Sequence, residues 1–90
     1  MANTYDSVSV DTNATLVVAK NRFRRGVTVY NNGTAIVYIG FDDAVDATSG
    51  MPLIPRATAS FNRVFDGLRG SIYGIAASGT QDVRYMEWES

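Results

Sequence analysis

The sequence contains no histidine and no cysteine. Those two absences remove the commonest general base, the commonest metal ligands and the strongest side-chain nucleophile at once. Without cysteine there is no disulfide to reinforce a chain of 90 residues, which buries only about 60–65 % of the surface its unfolded form exposes. Packing, and association with neighbours, must then supply the stability. No run approaches the ~18 consecutive apolar residues of a membrane span. The N-terminal Met1-Ala2-Asn3-Thr4-Tyr5-Asp6 carries neither the basic nor the apolar region of a signal peptide, so a soluble protein made in the cytoplasm is expected. Charge of one sign is also missing. Eight basic and nine acidic residues give a net charge of −1, which favours neither nucleic acid nor an anionic membrane as partner. Lysine is nearly absent: seven of the eight basic residues are arginine and Lys20 is the exception. Arginine is the better residue for ion pairs at interfaces.

What is present is β-sheet sequence. Runs rich in β-branched and aromatic residues recur with turn residues between them, and helical spacing is not sustained anywhere. The most explicit stretch is Val27-Thr28-Val29-Tyr30-Asn31-Asn32-Gly33-Thr34-Ala35-Ile36-Val37-Tyr38-Ile39-Gly40. Asn32-Gly33 fits the type I′ turn, whose two central positions need positive φ. A hairpin is therefore expected, with Val29 facing Ile36 and Val27 facing Tyr38. Both faces of that hairpin are apolar, which calls for cover on both sides, by a second sheet and by another subunit.

Further strands are expected at about 5–10 and 14–19, with Asp11-Thr12-Asn13 turning between them. A basic connector, Lys20-Asn21-Arg22-Phe23-Arg24-Arg25-Gly26, follows. Simple alternation would point Arg22 and Arg24 one way and Phe23 and Arg25 the other, with Phe23 entering the core. Residues 41–50 read as a long loop, and the two prolines, Pro52 and Pro55, make the next segment an edge or a corner. Strands at 58–65, with Phe61 and Val64 on opposite faces, at 71–77 and at 81–88 complete the chain, with Asp66-Gly67 as a turn. Gly74 and Ala76 leave room for Trp88 or Phe61 to lie across that face. The sequence thus predicts a flexible arm over 1–4 and, over 5–90, one all-β domain: a small antiparallel β-sandwich, jelly-roll or immunoglobulin-like, of about seven short strands.

Groups that carry chemistry are scarce. A serine nucleophile would depend on Lys20 or a carboxylate, and no nucleophile-elbow or Ser-x-x-Lys spacing surrounds Lys20. Asp42, Asp43 and Asp46 lack the spacing of a calcium loop and read as a solvated acidic turn. No metal or other cofactor is expected, and the chain reads as a non-enzyme. Lys20, Arg22, Arg24 and Arg25 with Phe23 between them are the one nucleic-acid-like feature. The balancing acidic residues argue against that partner and leave a solvated connector or a dock for an acidic protein surface. Tyr5, Tyr30, Tyr38, Tyr73, Tyr85 and Trp88 are candidates for a sugar-stacking platform, although aromatics within strands usually belong to the core.

Three segments resemble a small β-rich module of tailed-bacteriophage virion proteins: Val29 through Gly40 as written above, Thr48-Ser49-Gly50-Met51-Pro52-Leu53-Ile54-Pro55, and Ile72-Tyr73-Gly74-Ile75-Ala76-Ala77-Ser78-Gly79-Thr80-Gln81-Asp82-Val83-Arg84. They match, in order, a hairpin over Asn-x-Gly, a Gly-x-Pro-Leu corner, and a closing Tyr-Ala-Ile-Ala-Ala-Ser-Gly-Thr strand pair. The resemblance spans residues 27–85 of the 90. Arg56-Ala57 stands where Gly-Glu or Gly-Gln is more usual, and Gly74 replaces an alanine. Such modules serve as capsid decoration (cement) proteins, head fibres and tail components, and none of their residues is catalytic. The resemblance implies a protein on the capsid exterior that self-associates as a homotrimer or dimer and binds the major capsid protein. The alternatives are a head-fibre or tail-tip module that binds a host glycan, and a head–tail connector or tail-completion protein. The contact residues expected on this basis are Tyr5 next to the arm, Lys20, Arg22, Phe23, Arg24 and Arg25 in the connector, and Asp42, Asp43, Asp46, Met51, Leu53 and Arg56 in the long loop and the corner after it.

Overall fold

Backbone pairing defines eight strands in a computed structural model that describes residues 3–61 and 69–89. They are β1 (Asn3–Val10), β2 (Thr15–Val18), β3 (Arg24–Asn31), β4 (Val37–Gly40), β5 (Met51–Leu53), β6 (Thr58–Phe61), β7 (Ile72–Ala76) and β8 (Gln81–Glu89). The strand beyond the expected seven is β5, the proline-bearing segment, and it lies at an edge as Pro52 requires. Val64 and the Asp66-Gly67 turn lie outside the described residues. Pairing starts at Asn3, opposite Trp88, so Asn3 and Thr4 belong to a strand and not to an arm that ends at residue 4.

The strands form two four-stranded antiparallel sheets, one ordered β1-β8-β3-β6 and the other β2-β7-β4-β5. Strand 1 pairs with 8, 2 with 7, 3 with 6 and 4 with 5, as in one long hairpin rolled up on itself. This is the jelly-roll arrangement, and it decides between the two sandwich types the sequence left open. Among the described strands, only consecutive β4 and β5 share a sheet; every other consecutive pair lies in opposite sheets.

That topology corrects the central hairpin. β3 and β4 lie in opposite sheets, and among the described residues only Arg56 and Gly79 have positive φ, so Asn32-Gly33 is not a type I′ turn. The physical reason lies in the side chains. Val27, Val29 and Asn31 point inward from one sheet, and Val37 and Ile39 point inward from the other. Each strand is therefore apolar on one side only, and the apparent two-faced hairpin comes from superimposing two facing sheets. The need for a second subunit to cover it disappears.

The crossing is fixed by two buried amides. Asn31 donates to the carbonyls of Ala35 (2.9 Å) and Leu53 (2.8 Å), and its side-chain oxygen accepts from Gly33 N–H. Gln81 accepts from the amides of Thr34 and Ala35 and donates to Ser78 O. A loop that leaves its sheet has no ladder partners, so side chains must satisfy its backbone.

The core between the sheets is mostly valine: Val10, Val17, Val18, Val27, Val29, Val37 and Val83, with Ile39, Leu53, Ile72 and Ala76. β-branched residues suit a pleated, half-buried surface. Over Gly74 pack Val10, Val17 and Val37, not the aromatic expected there. Trp88 instead lies across Gly26 on the neighbouring strand, so close that a Cβ at that position would sit 2.1 Å from its ring.

Candidate functional site

The connector that enters β3 is built differently from simple alternation. An extra residue at Arg25 interrupts the register between Arg24–Glu89 and Gly26–Trp88, and such an insertion reverses which face the preceding residue occupies. Arg24 is turned inward and completely buried, while Phe23 is 60 % exposed, the reverse of the expectation for both. Arg24 Nε donates to Glu87 at 2.8 Å, and its two terminal nitrogens donate to Gly70 O (2.8 Å) and Ala19 O (2.7 Å). The guanidinium therefore ties β3 and β8 of one sheet to the chain at the ends of β2 and β7 in the other. It is a clamp within the fold and not a contact residue. The remainder of the run stays outside: Arg22 stacks on Phe23 at 4.9 Å from the ring centroid, Arg25 is exposed, and Lys20 and Arg22 line an open cleft with Arg69.

The 41–50 loop is ordered by its own acidic residues. Asp46 accepts hydrogen bonds from the amides and hydroxyls of Thr48 and Ser49 at 2.7–3.0 Å, and these hold its pKa down to about 2. Asp42 accepts from Ala44 N–H, and buried Val45 anchors the loop beside Gly40. Asp42, Asp43 and Asp46 are exposed, and among the described residues no group of three metal-ligating side chains gathers. The oxygens of Asp42 and Asp46 work as turn caps.

Beyond this loop, the outer rim of the β5 edge is apolar and exposed. Phe41, Met51 and Ile54 each show more than half their surface (54, 55 and 58 %). Phe41 packs edge-on against Phe61 at 5.7 Å and borders the same small cleft as Met51. Leu53, expected among the contact residues, is buried in the core, because it stands opposite inward Val37 on β4, whereas Met51, on the same face, lies at the open end of the strand and stays exposed. Arg56 lies just past the edge with φ 69°, the left-handed region that glycine favours. Its amide donates to Asn31 O, and its guanidinium donates to the Asn32 side chain. Arginine thus occupies a glycine-type backbone position.

The third feature is a groove of about 430 Å³ on the outer face of the β1-β8-β3 sheet. Cross-strand rows place Tyr5 beside Met86 and Thr28, and Ser7 beside Arg84 and Tyr30. Asp6 and Tyr85 also line it. Arg84 pairs with Asp82 at 3.1 Å. Asn32 donates to Asp82, and that bond, supported by Arg84, keeps the Asp82 pKa below the usual carboxylate value. Tyr85 is raised by burial first and by the Asp6 and Glu87 carboxylates second, so its hydroxyl stays protonated at neutral pH. Of the aromatics considered for a platform, Tyr5 (78 % exposed), half-buried Tyr30 and Tyr85 line this groove. Tyr38 and Tyr73 lie on the opposite sheet.

Of the expected contact residues, Tyr5, the 20–25 run and the loop with its rim form three separate surfaces and not one site. Asn31, Gln81 and the inward role of Arg24 were missed. For Asn31 and Gln81 the signal was a polar residue at an inward position of an alternating strand, whereas the insertion at Arg25 hid the inward turn of Arg24.

No family model matches the sequence, and no curated protein matches it. A solved structure from work on Bacillus endospore appendages, which "form a novel family of disulfide-linked pili", is similar in fold, with a TM-score of 0.56 at 13 % identity over 98 % of this chain and 85 % of that one. A likeness at that identity concerns the fold.

Proposed function

We propose that the chain is a non-catalytic structural subunit of a bacteriophage virion, a decoration protein that adheres to the outside of the head shell as a small homo-oligomer. The observation that carries this reading is the exposed apolar rim of Phe41, Met51 and Ile54 along the β5 edge, held in place by an ordered loop. Large apolar side chains on a rigid edge are adhesive. Because each is already about half covered, covering the rest of all three is worth roughly 2–5 kcal/mol of gross burial before the cost of association. Two further facts support it. Jelly rolls recur in viral capsid and lectin domains, although fold alone does not fix function. The bacteriophage resemblance spans residues 27–85. By adding area between shell subunits, many such copies would resist opening under internal DNA pressure.

A second reading draws on the structural neighbour: a subunit that assembles into a filament. The neighbour's pili are disulfide-linked, whereas this chain has no cysteine, so its contacts would have to be non-covalent. The test of the rim is the triple variant Phe41→Ser, Met51→Ser, Ile54→Ser. It is expected to keep its fold and lose binding to undecorated shells. Unchanged shell binding by a folded triple variant would refute the rim as the adhesive surface.

A further inference from the structure

The groove on the β1-β8-β3 face lies on a different surface from the β5 rim and is built like a ligand cleft. Tyr5 on β1 and Tyr30 on β3 stand two strand spacings and two residues along the strands apart, roughly 12 Å, with Met86 and Arg84 of β8 between them. The walls are aromatic, and the floor mixes a thioether with the hydroxyls of Ser7 and Thr28. The charged side chains on this face are Arg84 and the Asp82 that already engages it, a neutral pair, while Asp6 borders the groove but alternates with Tyr5 and Ser7 and belongs with Tyr85 to the opposite face. Net charge in the groove is therefore near zero, and an anionic ligand would have to displace Asp82.

Size separates the occupants further. The groove of about 430 Å³ is lined by eight residues, within the roughly 300–1,000 Å³ range of small-ligand clefts. A stable protein interface engages about 20–30 residues on each side. We infer that this groove binds a neutral saccharide. The apolar C–H face of a pyranose would lie on the Tyr5 ring, whose π face is weakly negative. The sugar's hydroxyls would meet Ser7, Thr28, the Tyr30 hydroxyl and the outer edge of Arg84. This role is additional to shell adhesion and does not depend on it.

The test is a titration of the ¹⁵N-labelled protein with maltotetraose, cellotetraose and the chitin tetrasaccharide, each to about 10 mM, a range that resolves millimolar dissociation constants. At least one sugar is expected to give saturable shifts concentrated at residues 5–7, 28–30 and 84–86. Tyr5→Ala should weaken that binding at least about tenfold. Its thermal midpoint should not move, because Tyr5 is 78 % exposed. Tyr5→Phe, which keeps the stacking face, should bind nearly as the parent does. Lack of saturable shifts with all three sugars, shifts mapping elsewhere, or undiminished binding by Tyr5→Ala would overturn the inference. So would loss of self-association or shell binding in Tyr5→Ala, since the groove would then be a protein contact.

Discussion

Arg24→Met is the most informative single substitution. It keeps most of the side-chain stem but removes every donor that Arg24 brings to Glu87, Gly70 O and Ala19 O. Glu87 is itself only 12 % exposed in its side chain, so its carboxylate is left largely dehydrated. Removing one partner of a buried ion pair costs about 3–5 kcal/mol. Small domains are stable by roughly 5–15 kcal/mol in total. At about 4–8 °C per kcal/mol for a domain of this size, the thermal midpoint should fall by at least ~12 °C, and the upper end of that range unfolds the protein at ambient temperature. Urea unfolding followed by Trp88 fluorescence and by circular dichroism measures it. Arg24→Met with Glu87→Leu removes both charges and should regain about half or more of the loss, because the stranded carboxylate dominates the penalty. A single-variant cost under about 1 kcal/mol, the median worth of a surface pair, would refute the clamp. So would a double variant no more stable than the single one.

Three smaller perturbations follow from the same geometry. Gly26→Ala pushes Trp88 off β3, since the new Cβ would lie 2.1 Å from its ring. The expected cost is about 1–3 kcal/mol, with a red shift in the emission of this single tryptophan; an unchanged spectrum would contradict the packing. At Arg56, φ 69° predicts that Arg56→Gly changes stability by less than about 1 kcal/mol, as relief of backbone strain offsets the lost contact with Asn32. Arg56→Val, β-branched in the same conformation, should be clearly worse than Arg56→Gly, and equal melting of the two would show that the strain is not there. Asp46 has a folded pKa of about 2, below its ordinary 3.8. Its capping contribution is therefore fully present above about pH 4 and lost as pH falls toward 2. A carboxyl ¹³C titration with a midpoint near 4 would show the cap unformed.

The strands were largely legible, because burial alternates along them as the residue types do. β4 and β7 in particular alternate regularly between buried and half-buried residues. Their partners were not legible. Asn32-Gly33 is a local signal, whereas the sheet that receives β4 is decided by where Val37 and Ile39 find apolar cover across the core. The inward Asn31 was the mark in the sequence that the chain leaves its sheet there, since a ladder strand has no use for a buried amide. The error at Arg24 has a comparable origin: one inserted residue reverses the facing of what precedes it, and composition does not reveal an insertion. At the rim, Met51 and the 42–55 loop were identified from the prolines and the loop length. The exposure of Phe41 and Ile54 was not legible and emerged only with the structure.

The decoration reading is tested most directly by counting copies of purified protein that co-sediment with expanded, undecorated heads of the same virion. Hundreds of copies per shell are predicted, and decorated shells should then survive heating that opens bare ones. Copies in single digits would place the protein at a vertex as a connector. Complete absence from the pellet, with the protein folded, would contradict shell adhesion altogether.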